Sequence, residues 1–157
     1  MMLAVTEDNI LVNLKADSKE EVLHNLVDLL VKNGYITPDY YDVLIAREKK
    51  YPTGLPTEGI KVAIPHGFSD ESVIKPAVGI ATLANPVKFN NMFEIEQELA
   101  VGIVFLLALS SKEKDKHGKD LARVMGVFSD ADLLSRLQAA KTGNEVTQIM
   151  SEPLKDI

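Results

Sequence analysis

Leu99 to Leu109 reads LAVGIVFLLAL, and the placement of this run decides the fold. It is rich in β-branched residues and apolar at successive positions. Both of its sides must therefore be covered, which is the pattern of a central strand with a layer on each face. A bilayer-crossing helix takes about 20 apolar residues, and this run is too short for that. Working back along the chain, Ala77 to Leu83 (AVGIATL) is a second β-branched segment, and Lys61 to Ile64 (KVAI) is a short strand stopped by Pro65. Asn9 to Ala16 (NILVNLKA) alternates loosely and reads as an edge strand.

Helices fill the spaces between and after these strands. Ser18 and Glu21 form a capping box, in which the serine oxygen takes a backbone amide and the glutamate reaches back. Val22, Leu23, Leu26, Val27 and Leu30 form the apolar stripe behind it, and Asn33-Gly34 is a C-cap signal. Thr37-Pro38 is expected to start a second helix through DYYDVLIAREKK, with threonine as N-cap and proline at the first helical position. Pro52, Gly54, Pro56 and Gly59 then break the chain into a loop. After the central strand, KEKDK (112–116) is a solvated turn. Three helices are expected at 117–128, 130–140 and about 143–152, the middle one opened by Ser129. The order predicts an α+β fold, a mixed β-sheet flanked by helices in three α/β/α layers, as one domain over 1–157.

Composition removes several function classes. The chain has 157 residues, is 46% hydrophobic and 25% charged, and so has the make-up of a folded globular domain. Without cysteine it has no disulfide, thiolate nucleophile or iron–sulfur cluster. A net charge of −6 argues against nucleic acid as the main ligand and suits a partner with a basic face. The opening MMLAVTEDNILVNLKAD lacks a basic n-region, so no signal peptide or membrane insertion is expected and the cytoplasm is the expected compartment.

Three histidines supply all the imidazole. His66 lies in VAIPHG, between the proline that stops a strand and a glycine, at a point where a strand hands the chain to a loop. A backbone carbonyl bonded to one ring N–H would fix its tautomer and leave the other nitrogen a lone pair for attack. A turn histidine in a local hydrogen bond is the alternative. Arg47 shares a helical stripe with Tyr40, Val43, Leu44 and Tyr51, so its guanidinium is expected on the inward side. There it either meets a phosphate or carboxylate, or snorkels at the helix C-terminus. His117 begins the helix after the charged turn, with Leu121, Met125 and Phe128 behind it at helical spacing. It reads either as a neutral donor to an anion at a helix N-terminus or as a partly buried helix-start residue. His24 shares a face with Glu20 and Asp28 and reads as solvated. No HExxH or close histidine pair supports a metal site, and no Walker, GxSxG or GxGxxG motif is present.

Arg47-Glu48, the loop YPTGLPTEG (51–59), GIKVAIPHG ending on His66, the strand LAVGIVFLLAL and His117 together resemble the EIIA component of the bacterial sugar phosphotransferase system, in its fructose/mannitol superfamily. The loop is most similar to galactitol-type EIIA proteins, and the resemblance runs from the first helix to about Met150. It implies a phosphoryl relay. His66 would take phosphate from a phosphohistidine on the carrier HPr and pass it to a cysteine or histidine on a cognate EIIB, which supplies a membrane EIIC transporter. His117 and Arg47 would hold the phosphoryl group, with Thr53 as the expected phosphate-contacting hydroxyl, and no metal or diffusible cofactor is required. Phe68, Leu55, Met92 and Phe93 are candidates for an apolar docking patch around His66, the last two equally for the core. Two further readings are a regulatory module of the same fold whose phosphorylation state a partner senses, and a binding module that is never phosphorylated.

Overall fold

A computed structural model describes residues 5–153 and, within 113–117, the backbone but not the side chains. The long apolar run is indeed the spine of the sheet. Six strands form it: β1 (Ile10–Leu14), β2 (Gly54–Leu55), β3 (Lys61–Ala63), β4 (His66–Phe68), β5 (Ala77–Asn90) and β6 (Glu98–Leu109). Their spatial order is β1-β5-β6-β3-β2, with β4 also paired to β6. β5 pairs antiparallel with β6, whereas β1 runs parallel to β5, and β3 and β4 run parallel to β6. The sheet is mixed, and β1 is an edge, as the sequence suggested.

Side chains on β6 alternate between two cores. Ile103, Phe105, Leu107 and Leu109 pack on one face with Val124, Leu134, Leu137 and Val146 from α3 (Lys114–Val127), α4 (Ala131–Ala139) and α5 (Gly143–Ser151). Val104, Leu106 and Ala108 pack on the other with Leu23, Leu26, Leu30, Tyr40 and Leu44 from α1 (Lys19–Lys32) and α2 (Tyr40–Lys50). A strand covered on both sides must be apolar at every position, which is why period-two patterning is missing from the run. The three expected layers are present.

The cap signal of α1 held, and those of the second and fourth helices moved where neighbours compete. Ser18 Oγ accepts from Glu21 N at 3.1 Å, and Glu21 reaches back to Asp17 N at 3.0 Å, closing the start of α1. Gly34, at φ 82°, ends it in the left-handed region. The second helix does not begin at Thr37-Pro38. Thr37 spends its hydroxyl on Asp39 and its amide on Ser72 O, so residues 38–39 form a turn and Asp39 stands at the N-cap position of α2. α4 is capped by Asp130, whose carboxylate accepts from Leu133 N at 3.1 Å, and not by Ser129, whose hydroxyl bonds back to Gly126 O.

Three further expectations are corrected. The turn at 112–116 is instead the end of a 3-10 turn and the start of α3, which begins at Lys114, so His117 is its fourth residue and not its first. β5 runs past Leu83 to Asn90, across a bulge between Thr82 and Val87 that absorbs Asn85-Pro86. Pro65 interrupts the strand at KVAI without ending it. Its carbonyl accepts from Leu107 N at 3.0 Å, and pairing with β6 resumes at His66↔Leu107. A proline removes only its donor from a ladder, so a strand that needs its acceptor passes through.

Candidate active site

His66 opens β4, in register with Leu107 of the central strand, and not at the end of a strand passing into a loop, as expected. Ile64 and Phe68, two residues to either side, pack toward the α3–α5 core, so strand alternation turns His66 to that face. Its ring is largely buried, and Nδ1 lies 2.8 Å from Ile64 O. A carbonyl can only accept, so Nδ1 carries the proton and Nε2 holds the lone pair. Burial, with the Arg47 guanidinium adding to it, holds the imidazole below its ordinary pKa of 6.5 against the opposing Ile64 bond. The ring is therefore neutral at pH 7, with a nucleophilic Nε2.

The backbone beneath His66 is fastened from the α2 side. Tyr40 is fully buried and directs its hydroxyl to Gly67 O at 3.0 Å and Leu107 O at 3.1 Å, stitching β4 to β6. Burial pushes this phenol well above its ordinary range, so it remains a donor. Gly67 is what admits it: a Cβ there would stand 3.2 Å from the Tyr40 hydroxyl.

Arg47 sits on the flank of α2, and not on its inward stripe. The buried positions of this helix are Tyr40, Leu44 and Glu48, spaced by one turn each. Arg47 is half-buried, with its guanidinium 5.4 Å from the exposed Tyr51 ring and its buried Nε lacking a hydrogen-bond partner. A buried guanidinium N–H without an acceptor is costly, and an anion would satisfy it.

Glu48 is the residue that sequence reasoning passed over. It is 2% exposed, and its carboxylate takes Thr53 N at 2.8 Å and Thr53 Oγ1 at 2.6 Å. The signal that could have found it is the 40–44–48 spacing, which sets Glu48 in line with Tyr40 and Leu44. Burial pushes its pKa up to about 7, against the Thr53 bonds and the nearby Lys19 and Arg47. Thr53 is buried as well, and its hydroxyl proton goes to Glu48. The expected phosphate-contacting hydroxyl is thus committed elsewhere.

The remaining expected residues divide. The His117 side chain lies outside the described residues; the helix that carries it packs on the face toward which His66 turns. His24 is exposed and stacks on Tyr41, with ring centroids 3.6 Å apart. Of the apolar docking candidates, Leu55 is core and Phe68 and Met92 are half-buried, whereas Phe93 is 74% exposed. Among the described residues, no helix is long and apolar enough to cross a membrane.

The sequence that carries this tautomer-locked histidine, the first residue of β4, matches a known family. The profile described as phosphoenolpyruvate-dependent sugar phosphotransferase system, EIIA 2, matches residues 4–152. The chain belongs to this EIIA 2 family. Among its relatives, the mannitol-specific phosphotransferase enzyme IIA component of Halalkalibacterium halodurans is 28% identical over 150 residues, covering 94% of each chain. The mannitol-specific EIICBA component of Vibrio cholerae is 28% identical over 147 residues, and this EIIA 2 chain spans about a fifth (21%) of its length. Among solved structures, IIA mannitol from Escherichia coli aligns with TM-score 0.74 at 26% identity, over 92% of this chain and 97% of that one. The complex of enzyme IIAMTL with phosphorylated enzyme IIBMTL, also from Escherichia coli, contains a chain that aligns with TM-score 0.75 at 25% identity, over 95% and 98%. These likenesses agree with the three-layer EIIA fold described above.

Proposed function

We propose that the chain is a phosphohistidine carrier: His66 accepts a phosphoryl group from phospho-HPr and donates it to a cognate EIIB, which serves a membrane EIIC. The observation that carries this reading is the 2.8 Å contact of His66 Nδ1 with Ile64 O, which leaves Nε2 unprotonated. In the accepting step the Nε2 lone pair attacks phosphorus in line, the N–P bond on the donor imidazole breaks, and that bond's electrons return to the donor ring. Nδ1 keeps its proton throughout. As Nε2 becomes bonded to phosphorus, positive charge builds on the ring, and the Ile64 carbonyl faces the N–H that carries it. Donation to EIIB is the reverse displacement by the partner's nucleophile.

Such a transfer needs little beyond positioning and charge stabilisation. Arg47 supplies the charge: its unpartnered Nε is a donor for a phosphoryl oxygen, and a phosphoryl group adds roughly −1.5 to −2 charges. His117, on α3, is assigned the second contact on the strength of the family resemblance. The EIIB role is supported by a relative whose structure is a complex with phosphorylated enzyme IIBMTL. For the sugar, the relatives described above are named for mannitol, so mannitol is favoured over the galactitol type expected from the 51–59 loop.

Intact-mass spectrometry at alkaline pH, after incubation with phosphoenolpyruvate, Enzyme I and HPr, tests the carrier. A single acid-labile phosphoryl gain, absent from His66→Ala, is expected. Gain at the wild-type rate in His66→Ala overturns the assignment. Onward transfer to mannitol-type and galactitol-type EIIB then separates the two sugars.

A further inference from the structure

Glu48 is a buried carboxylate whose hydrogen bonds go to neither His66 nor Arg47, yet burying it is expensive. Its two oxygens are used on a single residue, Thr53, through the backbone N–H at 2.8 Å and the hydroxyl at 2.6 Å. Thr53 in turn accepts at its carbonyl from Ile64 N, at 3.2 Å. Ile64 then accepts at its own carbonyl from His66 Nδ1, at 2.8 Å. Four residues thus form an unbroken chain of hydrogen bonds, from the C-terminal turn of α2 to the nucleophilic ring.

We propose that Glu48 is a positioning residue for His66, acting through Thr53 and Ile64 to hold the Nδ1–H tautomer and to set His66 at a fixed distance from Arg47. This rests on the carrier reading for its purpose, though not for its geometry. The chain transmits position and not charge. Thr53 N–H and Thr53 C=O belong to different peptide groups, separated by a saturated Cα, and the same holds at Ile64. Polarisation therefore does not run continuously from the carboxylate to the ring. What does run through is geometry: Glu48 fixes Thr53, Thr53 fixes the height of Ile64 on β3's continuation, and Ile64 O decides which ring nitrogen is protonated.

Two features make the clamp specific. Arg47 precedes Glu48 on the same helix, so fastening Glu48 also fastens the turn that presents the guanidinium. Gly54, next to Thr53, lies so close to the β5–β6 hairpin that a Cβ there would stand 2.5 Å from Asn90 O, and Gly54 O accepts from Met92 N at 2.8 Å. The connection between α2 and β2 is therefore gripped on both sides. In water a neutral histidine favours its proton on Nε2, the tautomer whose Nε2 has no lone pair for attack. A carbonyl held in place reverses that preference, and a loosened one does not.

The test is long-range ¹H–¹⁵N NMR of the His66 ring in the unphosphorylated full chain, with the rate of phosphorylation by phospho-HPr measured alongside. Wild type is expected to show the Nδ1–H form. Glu48→Ala and Thr53→Val are expected to shift the ring toward an Nε2–H mixture and to slow phosphorylation about tenfold, the scale of a lost positioning bond. Thr53→Ser keeps both bonds to Glu48 and is expected to retain the wild-type tautomer. Glu48→Gln can still accept from Thr53 N and donate to Thr53 Oγ1, and is also expected to retain it. If Glu48→Ala does not fold, the Thr53→Val and Thr53→Ser pair decides the matter. An unchanged Nδ1–H signal in folded Glu48→Ala or Thr53→Val overturns the proposal. Absence of phosphorylation in wild type overturns the carrier reading instead, and leaves the tautomer result standing.

Discussion

Replacing Tyr40 by Phe removes one hydroxyl and leaves two carbonyls, Gly67 O and Leu107 O, without a donor they meet at 3.0 and 3.1 Å. The ring stays fully buried and its packing is untouched, so the loss is that of a buried hydrogen bond, about 1–2 kcal/mol. In a chain of 157 residues that is roughly 2–8 °C in Tm. Gly67→Ala attacks the same contact from the other side. Its Cβ would lie 3.2 Å from the Tyr40 hydroxyl, which must give way by a few tenths of an ångström and lengthen its own bonds. Overpacking of this kind costs about 1–3 kcal/mol. In the double variant the closest atom is gone, and the next neighbours, Val43 Cγ1 at 3.5 Å and the Tyr40 ring carbon at 3.6 Å, are in ordinary contact. The double loss should therefore fall short of the sum of the singles by about 1 kcal/mol. Chemical denaturation of the four proteins measures this coupling directly. Additivity to within about 0.5 kcal/mol would show that the hydroxyl and the new Cβ do not compete, and would refute the reasoning.

Glu48 predicts a pH signature in stability. Its pKa of about 7, raised from 4.5 by burial, lets the folded chain keep a proton that the unfolded chain releases. The contribution is fully present below pH 4.5 and is lost as pH rises through 7, on the order of 3 kcal/mol across that window. Glu48→Gln should flatten the slope in denaturation curves, and an unchanged slope counts against the buried carboxyl as its source. The His66 ring, held below 6.5 by burial, should accept phosphoryl at a rate whose pH midpoint lies under 6.5; a stopped-flow midpoint at or above it means the ring is not desolvated. Arg47→Lys should retain phosphorylation but weaken retention of the phosphoryl group, because a point charge cannot replace the fork; an unaltered half-life of the phosphoprotein argues against the contact. Among the glycines, Gly54→Ala should destabilise by at least about 1–3 kcal/mol, since its Cβ meets backbone at 2.5 Å. Gly118→Ala, with nothing within 4 Å in α3, should stabilise by about 0.5–1 kcal/mol, and denaturation midpoints moving in the same direction for both would contradict this account.

Much of the architecture was legible in LAVGIVFLLAL, because a strand apolar on both faces demands two covering layers. Helix α1 was legible for an equally local reason: Ser18, Glu21 and Gly34 form their caps with residues close in sequence. The failures share a cause. Thr37 looks like an N-cap until Ser72, far along the chain, binds its amide. Pro65 looks like a strand end until Leu107 supplies the donor that its carbonyl accepts. Glu48, which sequence reasoning passed over, is buried only once α2 folds against the sheet and Thr53 closes on it.

The residue types of the candidate site, His66 and Arg47, and the layer order around them were readable from the chain alone. Their chemistry is intrinsic, and strand and helix patterning are properties of neighbouring residues. Packing set the rest: which ring nitrogen of His66 is free, that Arg47 Nε lacks a partner, and that a buried carboxylate holds Thr53. Each of these depends on a hydrogen bond or a burial made by packed elements, and no local pattern of side chains encodes where such partners will meet.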